Sequence, residues 1–178
     1  MTALALAAPP LRARRLPTRL TGFARRLSSS GMSAFKNPSD AALRELLASS
    51  KTIAVVGCSP DPSRTSHQIA AQMQSRGYRI IPVHPAGGTI LGEKVYPDLD
   101  SLPEGTSIDI VDVFRRAEDT PPVAEAAVRV RAKALWLQQG IVNEQAAAIA
   151  EKAGLTCVMD LCIAVMHRVL LAGRSAER

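Results

Sequence analysis

The sequence predicts an α/β domain: a single doubly wound, mostly parallel sheet in three α/β/α layers. Two observations predict it. Short, apolar, β-branched runs such as Thr52–Val56 and Ile108–Phe114 alternate with amphipathic helical segments of roughly ten residues. Thr52–Val56 in particular reads as a buried strand, covered on both faces. Strands joined through helices lie parallel, with right-handed crossovers.

Each element has its own signal. Asn37-Pro38 opens a first helix as a capping residue followed by Pro at the first helical position. Leu43, Leu46 and Leu47 form its apolar face, and Ser49-Ser50 ends it. Thr52–Val56 is the first strand, closed by Gly57. Thr65 and Gln68 read as a capping box for a helix whose stripe is Ile69, Ala70 and Met73 and whose stop is Gly77. Tyr78–Val83 is a second strand, stopped by Pro85. Residues 86–107 are rich in Gly and Pro and read as loop, with a short strand near Lys94–Tyr96. Ile108–Phe114 is a third strong strand, and Pro121-Pro122 leads into a helix over Val123–Val130. Ala132–Leu137 is a strand, Asn143–Ala153 a helix capped by Asn143, Leu155–Met159 the final strand and Ile163–Leu171 the last helix. Residues 37–172 thus form the domain, and 173–178 a frayed tail.

Composition narrows the function. The 178 residues, 47% of them hydrophobic, suffice for one domain and not two. With 21% charged residues the chain reads as soluble, and no apolar run approaches the ~20 residues of a membrane-spanning helix. The three cysteines, Cys58, Cys157 and Cys162, have no CxxC spacing, which argues against a disulfide scaffold or a zinc site. Aromatic residues are only 3%, too few for the stacking platforms of single-strand nucleic-acid binding.

The net charge of +6 belongs to one segment. Residues 1–36 carry seven of the 22 Lys and Arg and no acid, so the other 15 meet all 16 Asp and Glu. The basic character is therefore no sign of a nucleic-acid-binding domain. Leu16, Leu20, Phe23 and Leu27 make one helical stripe, with Arg15, Arg19 and Arg26 on other faces. A basic, acid-free, amphipathic leader predicts an organelle presequence, disordered in itself, with the mitochondrial matrix ahead of the plastid. Arg25-Arg26-Leu27-Ser28 resembles a mitochondrial processing site. A start at Met32 would instead leave the protein in the cytosol.

In a doubly wound sheet a ligand lies across the carboxyl ends of the strands, where the strand order reverses. After the first strand comes Gly57-Cys58-Ser59-Pro60-Asp61-Pro62-Ser63-Arg64-Thr65-Ser66. A glycine, small hydroxyl residues and a helix N-terminus suit a phosphate, and Arg64 adds a charge-assisted bond. The loop is neither GxGxxG nor GxxxxGK[ST]. The second strand ends in His84-Pro85, where an NAD-binding domain needs a carboxylate for the ribose hydroxyls. A neutral or basic end suits a ribose that carries a phosphate, as in NADP and coenzyme A. Arg115, Arg116 and Gln138 follow the next two strands and are expected on the ligand rim, with ion pairs to Glu118 or Asp119 as the ordinary alternative for the arginines. Trp136 reads as core. Cys58 reads as a small residue filling a tight turn beside a helix N-terminus. Asp160, Cys162 and His167 are close in sequence, but Cys162 and His167 are poorly spaced to meet on one helix.

Taken together, TIAVVGCSPDPSRTSHQIA, GYRIIPVHP, ILGEKVYPDL, DIVDVFRR, ALWLQQGI and MDLCIAVMH resemble the small single-domain CoA-binding protein family. That family is similar to the CoA-binding N-terminal domain of the succinyl-CoA synthetase alpha subunit. The resemblance runs from about Ala41 to about Leu170. It implies a Rossmann-like domain that holds coenzyme A or an acyl-CoA. It implies phosphate contacts from the Gly57–Ser66 loop, with Gly57, Cys58, Ser59, Arg64, Thr65 and Ser66 as site residues. His84 and Pro85 stand where the family usually has Asn-Pro. Phe114, Arg115, Gln138 and Gly140 match the other strand-end motifs. Leu161 and Met166 replace a basic residue and a Glu in the last one.

The sequence therefore predicts a CoA-binding module without catalysis of its own, with a small-molecule partner and neither nucleic acid nor membrane. The alternatives are an NADP-binding oxidoreductase or redox sensor, and an interaction subunit that kept the fold and lost the ligand.

Overall fold

The computed structural model describes residues 35–171. Its sheet has five parallel strands: β1 (Thr52–Val56), β2 (Arg79–Val83), β5 (Ile110–Val113), β6 (Ala134–Leu137) and β7 (Thr156–Val158), in the order β2-β1-β5-β6-β7. The chain turns outward from β1 in both directions, so the order reverses between β1 and β5. That is the switch point at which such sheets open a crevice. A two-stranded antiparallel ribbon, β3 (Thr89–Ile90) and β4 (Glu93–Lys94), lies in the segment expected to be loop. The chain then pairs Tyr96 with Val83 and covers the β2 edge. The strand expected near Lys94–Tyr96 is thus a short ribbon strand followed by a single bridge.

Successive strand residues point to opposite faces, and both faces are apolar. Ala54, Val56, Val111 and Val113 pack with Ala124 and Ala127 of α3 (Thr120–Arg129) and Ala146, Ala147 and Ala150 of α4 (Glu144–Lys152). Ile53, Val55, Ile110 and Trp136 pack with Leu43 and Leu47 of α1 (Asp40–Ser49), Ile69 and Met73 of α2 (Thr65–Ser75), and Ile163 and Leu170 of α5 (Ile163–Leu171). Small alanines let α3 and α4 approach the sheet closely, while long side chains fill the opposite layer. Trp136 is fully buried, and its Nε1–H donates to the Leu161 carbonyl at 2.6 Å, so its polar edge is satisfied inside the core.

Several boundaries differ from expectation for identifiable reasons. The cap of α1 is Ser39, whose hydroxyl oxygen accepts from the Ala42 N–H at 3.3 Å. Asn37 instead behaves like an edge strand. Its Nδ2 donates to the Met159 carbonyl and its Oδ1 accepts from the Met159 N–H, both at 2.8 Å. The capping box of α2 does not form: Arg64 is the N-cap residue and no side chain caps the helix. Gln68 turns back to the Pro62 and Ser63 carbonyls. Pro121-Pro122 lie inside the first turn of α3, which begins at Thr120 and follows a 3-10 turn over Ala117–Asp119. Asn143 caps α4 as expected, accepting from the Ala146 N–H at 2.9 Å.

The leader and tail expectations fall outside the described residues. Among the described residues no helix is long and apolar enough to cross a membrane, and no group of three His, Cys, Asp or Glu is placed to hold a metal ion.

Candidate functional site

β1 ends at Gly57, which adopts φ +86°, and its N–H donates to the Val83 carbonyl at 2.9 Å. The glycine is required twice over. A side chain disfavours this φ, and an ideal Cβ would lie 2.7 Å from the Phe114 carbonyl oxygen and 3.2 Å from Arg115 Cδ. The ends of β1 and β5 are therefore drawn together with no side chain between them, and Arg115 lays its stem over the gap.

The loop after Gly57 is held by its own side chains. The Ser66 hydroxyl accepts from the Ser59 N–H at 3.0 Å, the Ser59 hydroxyl accepts from the Asp61 N–H at 3.1 Å, and Asp61 Oδ1 accepts from the Ser63 N–H at 2.8 Å. These bonds, the Ser63 pairings above all, hold the Asp61 carboxyl below the usual range. The His67 Nδ1 donates to the Ser59 carbonyl at 2.9 Å, a bond that places the ring proton on Nδ1. The hydroxyl oxygens serve as acceptors within the loop, which leaves the O–H of each serine to donate outward. The first turn of α2 has no side-chain cap, so its amides also face outward with their partial positive charge.

These groups converge on a cavity of about 450 Å³ lined by Gly57, Ser59, Ser63, Arg64, Thr65, Ser66, His84 and Phe114. Arg64 is exposed, and among the described residues neither it nor Arg115 has a carboxylate partner. The His84 Nδ1 accepts from the Ala86 N–H at 3.1 Å, so the neutral ring carries its proton on Nε2 as a donor. Every polar group just named offers a hydrogen-bond donor.

A second cavity, of about 460 Å³, shares Gly57 with the first and adds Pro85 and Arg115. Its walls are apolar, from Val56, Val83, Leu99 and Val123, and its rim carries Asp98, Asp100, Glu118 and Asp119. Arg129 grips Asp100 through two bonds of 2.9 and 2.7 Å, and this holds the Asp100 carboxyl below the usual range. Arg116 is taken up by Glu118 at 3.4 Å and Asp119 at 3.2 Å. The Pro97–Asp100 wall comes from a segment with no strand-end motif to flag it.

Three expected site residues lie elsewhere. Gln138 was expected on the rim. It is buried, and its Nε2 donates to Asp112 Oδ1 at 2.8 Å. The reason is a buried carboxyl on the neighbouring strand that needs a donor. Gly140 sits in a turn at φ +84° with its N–H bound to Asp160 Oδ1 at 2.7 Å. Cys58 is fully buried, and burial, with Asp112 beside it, pushes its thiol up to about 11. None of the three lines either cavity. Asp112 has no strand-end motif to flag it; its signal in the sequence is an acid within Ile110–Val113, the second of two in Ile108–Phe114 after Asp109. His167 meets the edge of Tyr78 at 5.6 Å, and no hydrogen bond links it to Cys162. Burial, then the Arg76 charge, lowers its basicity.

The comparisons with known proteins agree with this geometry. A profile of the CoA binding domain family matches residues 51–168. The uncharacterized protein YneT of Bacillus subtilis is 48% identical over 134 residues, which is 75% of this chain and 98% of that protein. A solved structure from Thermus thermophilus, of cell-free ID.343, is 34% identical with a TM-score of 0.71, covering 75% of this chain and 100% of that one. A hypothetical protein from Pyrococcus horikoshii OT3 is 33% identical with a TM-score of 0.72, covering 79% and 99%. These relatives are bacterial and archaeal, from organisms without mitochondria. They overturn the mitochondrial-matrix address read from residues 1–36 and point to a cytosolic protein.

Proposed function

This chain belongs to the CoA binding domain family, and from that premise we propose that it holds coenzyme A or an acyl-CoA across the carboxyl edge of β1, β2 and β5. One observation carries the placement. At the switch point a glycine without room for a Cβ, an uncapped helix N-terminus, Arg64 and the His84 Nε2–H all border one cavity, and all of them favour an anion. A pyrophosphate fits that chemistry. The adjoining cavity is apolar within, has no hydroxyl side chain in its lining among the described residues and sets its acids alongside Arg115, Arg116 and Arg129, so it offers less to a diphosphate than the donor-rich cavity over α2. The proposed contacts are Gly57, Ser59, Arg64, Thr65, Ser66 and His84, with Pro85, Phe114 and Arg115 where the two cavities meet. Residues 37–172 are the proposed binding module.

The proposed module binds without a catalytic step of its own. The buried Cys58 thiol is held protonated, and Asp160 is occupied by the Gly140 N–H. Thermal unfolding of the full chain with CoA, NADP and NAD tests the reading. CoA at a hundredfold excess over its Kd adds about 2.7 kcal/mol of stability and a matching rise in Tm. A larger rise with NADP than with CoA would overturn the assignment in favour of a dinucleotide.

A further inference from the structure

β5 carries a carboxyl where a central strand normally carries an apolar side chain. Asp112 is 1% exposed and lies in register with Val55 of β1 and Trp136 of β6. Its only side-chain partner is an uncharged amide, Gln138 Nε2 at 2.8 Å, and among the described residues it makes no ion pair. From the loop after β1 the Cys58 thiol faces it, also uncharged at neutral pH. The helices over this face present Leu47, Ile69, Met73 and Ile163, all apolar. A carboxylate here has no counter-charge and little solvent, so the neutral acid is favoured. Burial, opposed by the bonds from Gln138 and Val113, pushes this carboxyl up to about 7.

The same carboxyl lies close under the anion cavity. Val55 precedes Gly57 by two residues and Asp112 precedes Phe114 by two, and both Gly57 and Phe114 line the cavity. At ~3.3 Å per residue the carboxyl is about 7 Å below the floor. A polyanion in the cavity and an ionised Asp112 repel each other through a low-dielectric layer.

We propose that Asp112 couples ligand binding to a proton: the site holds its polyanion tightly when Asp112 is neutral and releases it when Asp112 ionises. This rests on the CoA reading of the cavity. By linkage, a ligand that disfavours ionisation tenfold binds about tenfold more weakly once the carboxyl is ionised, and binding near neutrality takes up a fraction of a proton.

The test is titration calorimetry of the full chain with dephospho-CoA, which lacks the 3′-phosphate that itself ionises near pH 6. Wild type should bind about tenfold more weakly at about pH 8.5 than at about pH 6. At about pH 7.5 it should take up roughly half a proton, read from titrations in buffers of different ionisation enthalpy. Asp112→Asn, which copies the shape of the neutral acid, should bind at high pH nearly as it does at low pH. His84 and His67 also border the site, so His84→Asn and His67→Asn should keep most of the wild-type proton uptake. Proton uptake that survives in Asp112→Asn, or that vanishes with either histidine, overturns the proposal, as does wild-type affinity equal at both pH values. Should Asp112→Asn not fold, the histidine variants and the wild-type uptake decide alone. Absence of binding by CoA and dephospho-CoA at every pH rejects the CoA reading itself and the coupling with it.

Discussion

The Phe114 carbonyl oxygen lies 2.7 Å from where a Cβ on Gly57 would stand. That approach joins the two strands at the switch point and leaves the backbone of β1 bare toward both cavities. Gly57→Ala should therefore fail on two counts. It must hold alanine at φ +86° and push Phe114 outward, at a cost of roughly 1–3 kcal/mol. Chemical denaturation should show that loss, and calorimetry should show CoA binding reduced more than tenfold.

Arg64 separates binding from stability. It is exposed and lacks an ion pair among the described residues, so Arg64→Ala should leave the Tm of the ligand-free protein nearly unchanged. CoA affinity should fall by about 1.5–3 kcal/mol, the range of a charge-assisted bond, and Arg64→Lys should fall between. If Arg64 grips the pyrophosphate, dephospho-CoA loses as much as CoA; if it grips the 3′-phosphate, dephospho-CoA loses little. Unchanged affinity for both ligands would remove Arg64 from the site.

Asp112 gives stability a particular pH dependence. Its folded-state carboxyl titrates near 7, above the 3.8 of an unperturbed aspartate, so the native state holds a proton that the unfolded chain has released. Stability from this group is complete below the unfolded value, declines as pH rises from about 4 to about 7, and is flat above. The decline amounts to a few kcal/mol. Asp112→Asn should flatten this part of the profile and exceed wild type in urea midpoint at about pH 8. A wild-type midpoint that rises between pH 5 and 8 would contradict it. Asp109 works in the opposite sense. Burial raises it, but Lys133 at 2.6 Å and the N–H groups of Lys51 and Thr52 at 2.7 and 2.9 Å outweigh that and hold it low. Its stabilising contribution is lost only as pH falls below about 4.

Gln138 and Asn37 test three structural bonds that the sequence disguised. Gln138→Leu leaves Asp112 buried without its amide and should cost about 1–3 kcal/mol in urea unfolding. Because Gln138 lines neither cavity, CoA affinity at low pH should stay within about twofold of wild type. Asn37→Ala removes both bonds to Met159 and should cost a similar ~1–3 kcal/mol. A loss of CoA affinity in Gln138→Leu greater than the loss in Arg64→Ala would return Gln138 to the site.

Local sequence sufficed where one residue's chemistry decides the outcome. The apolar runs specified the β1, β5 and β6 strands, Ile163–Leu171 specified α5, and Asn143 specified a cap, because burial pattern and capping depend on neighbours along the chain. The glycine after β1 and the hydroxyl-rich loop marked the polar cavity for the same reason. The fates of Asn37, Gln68 and Gln138 depended on partners 122, 5 and 26 positions away, respectively, or on a helix start one residue off. An amide side chain reads the same whether it caps a helix, lines a ligand or pairs with a buried acid. Only the tertiary structure brought Asp112 against Gln138, and only the packing of β5 between two strands buried that carboxyl deeply enough to raise it towards neutrality.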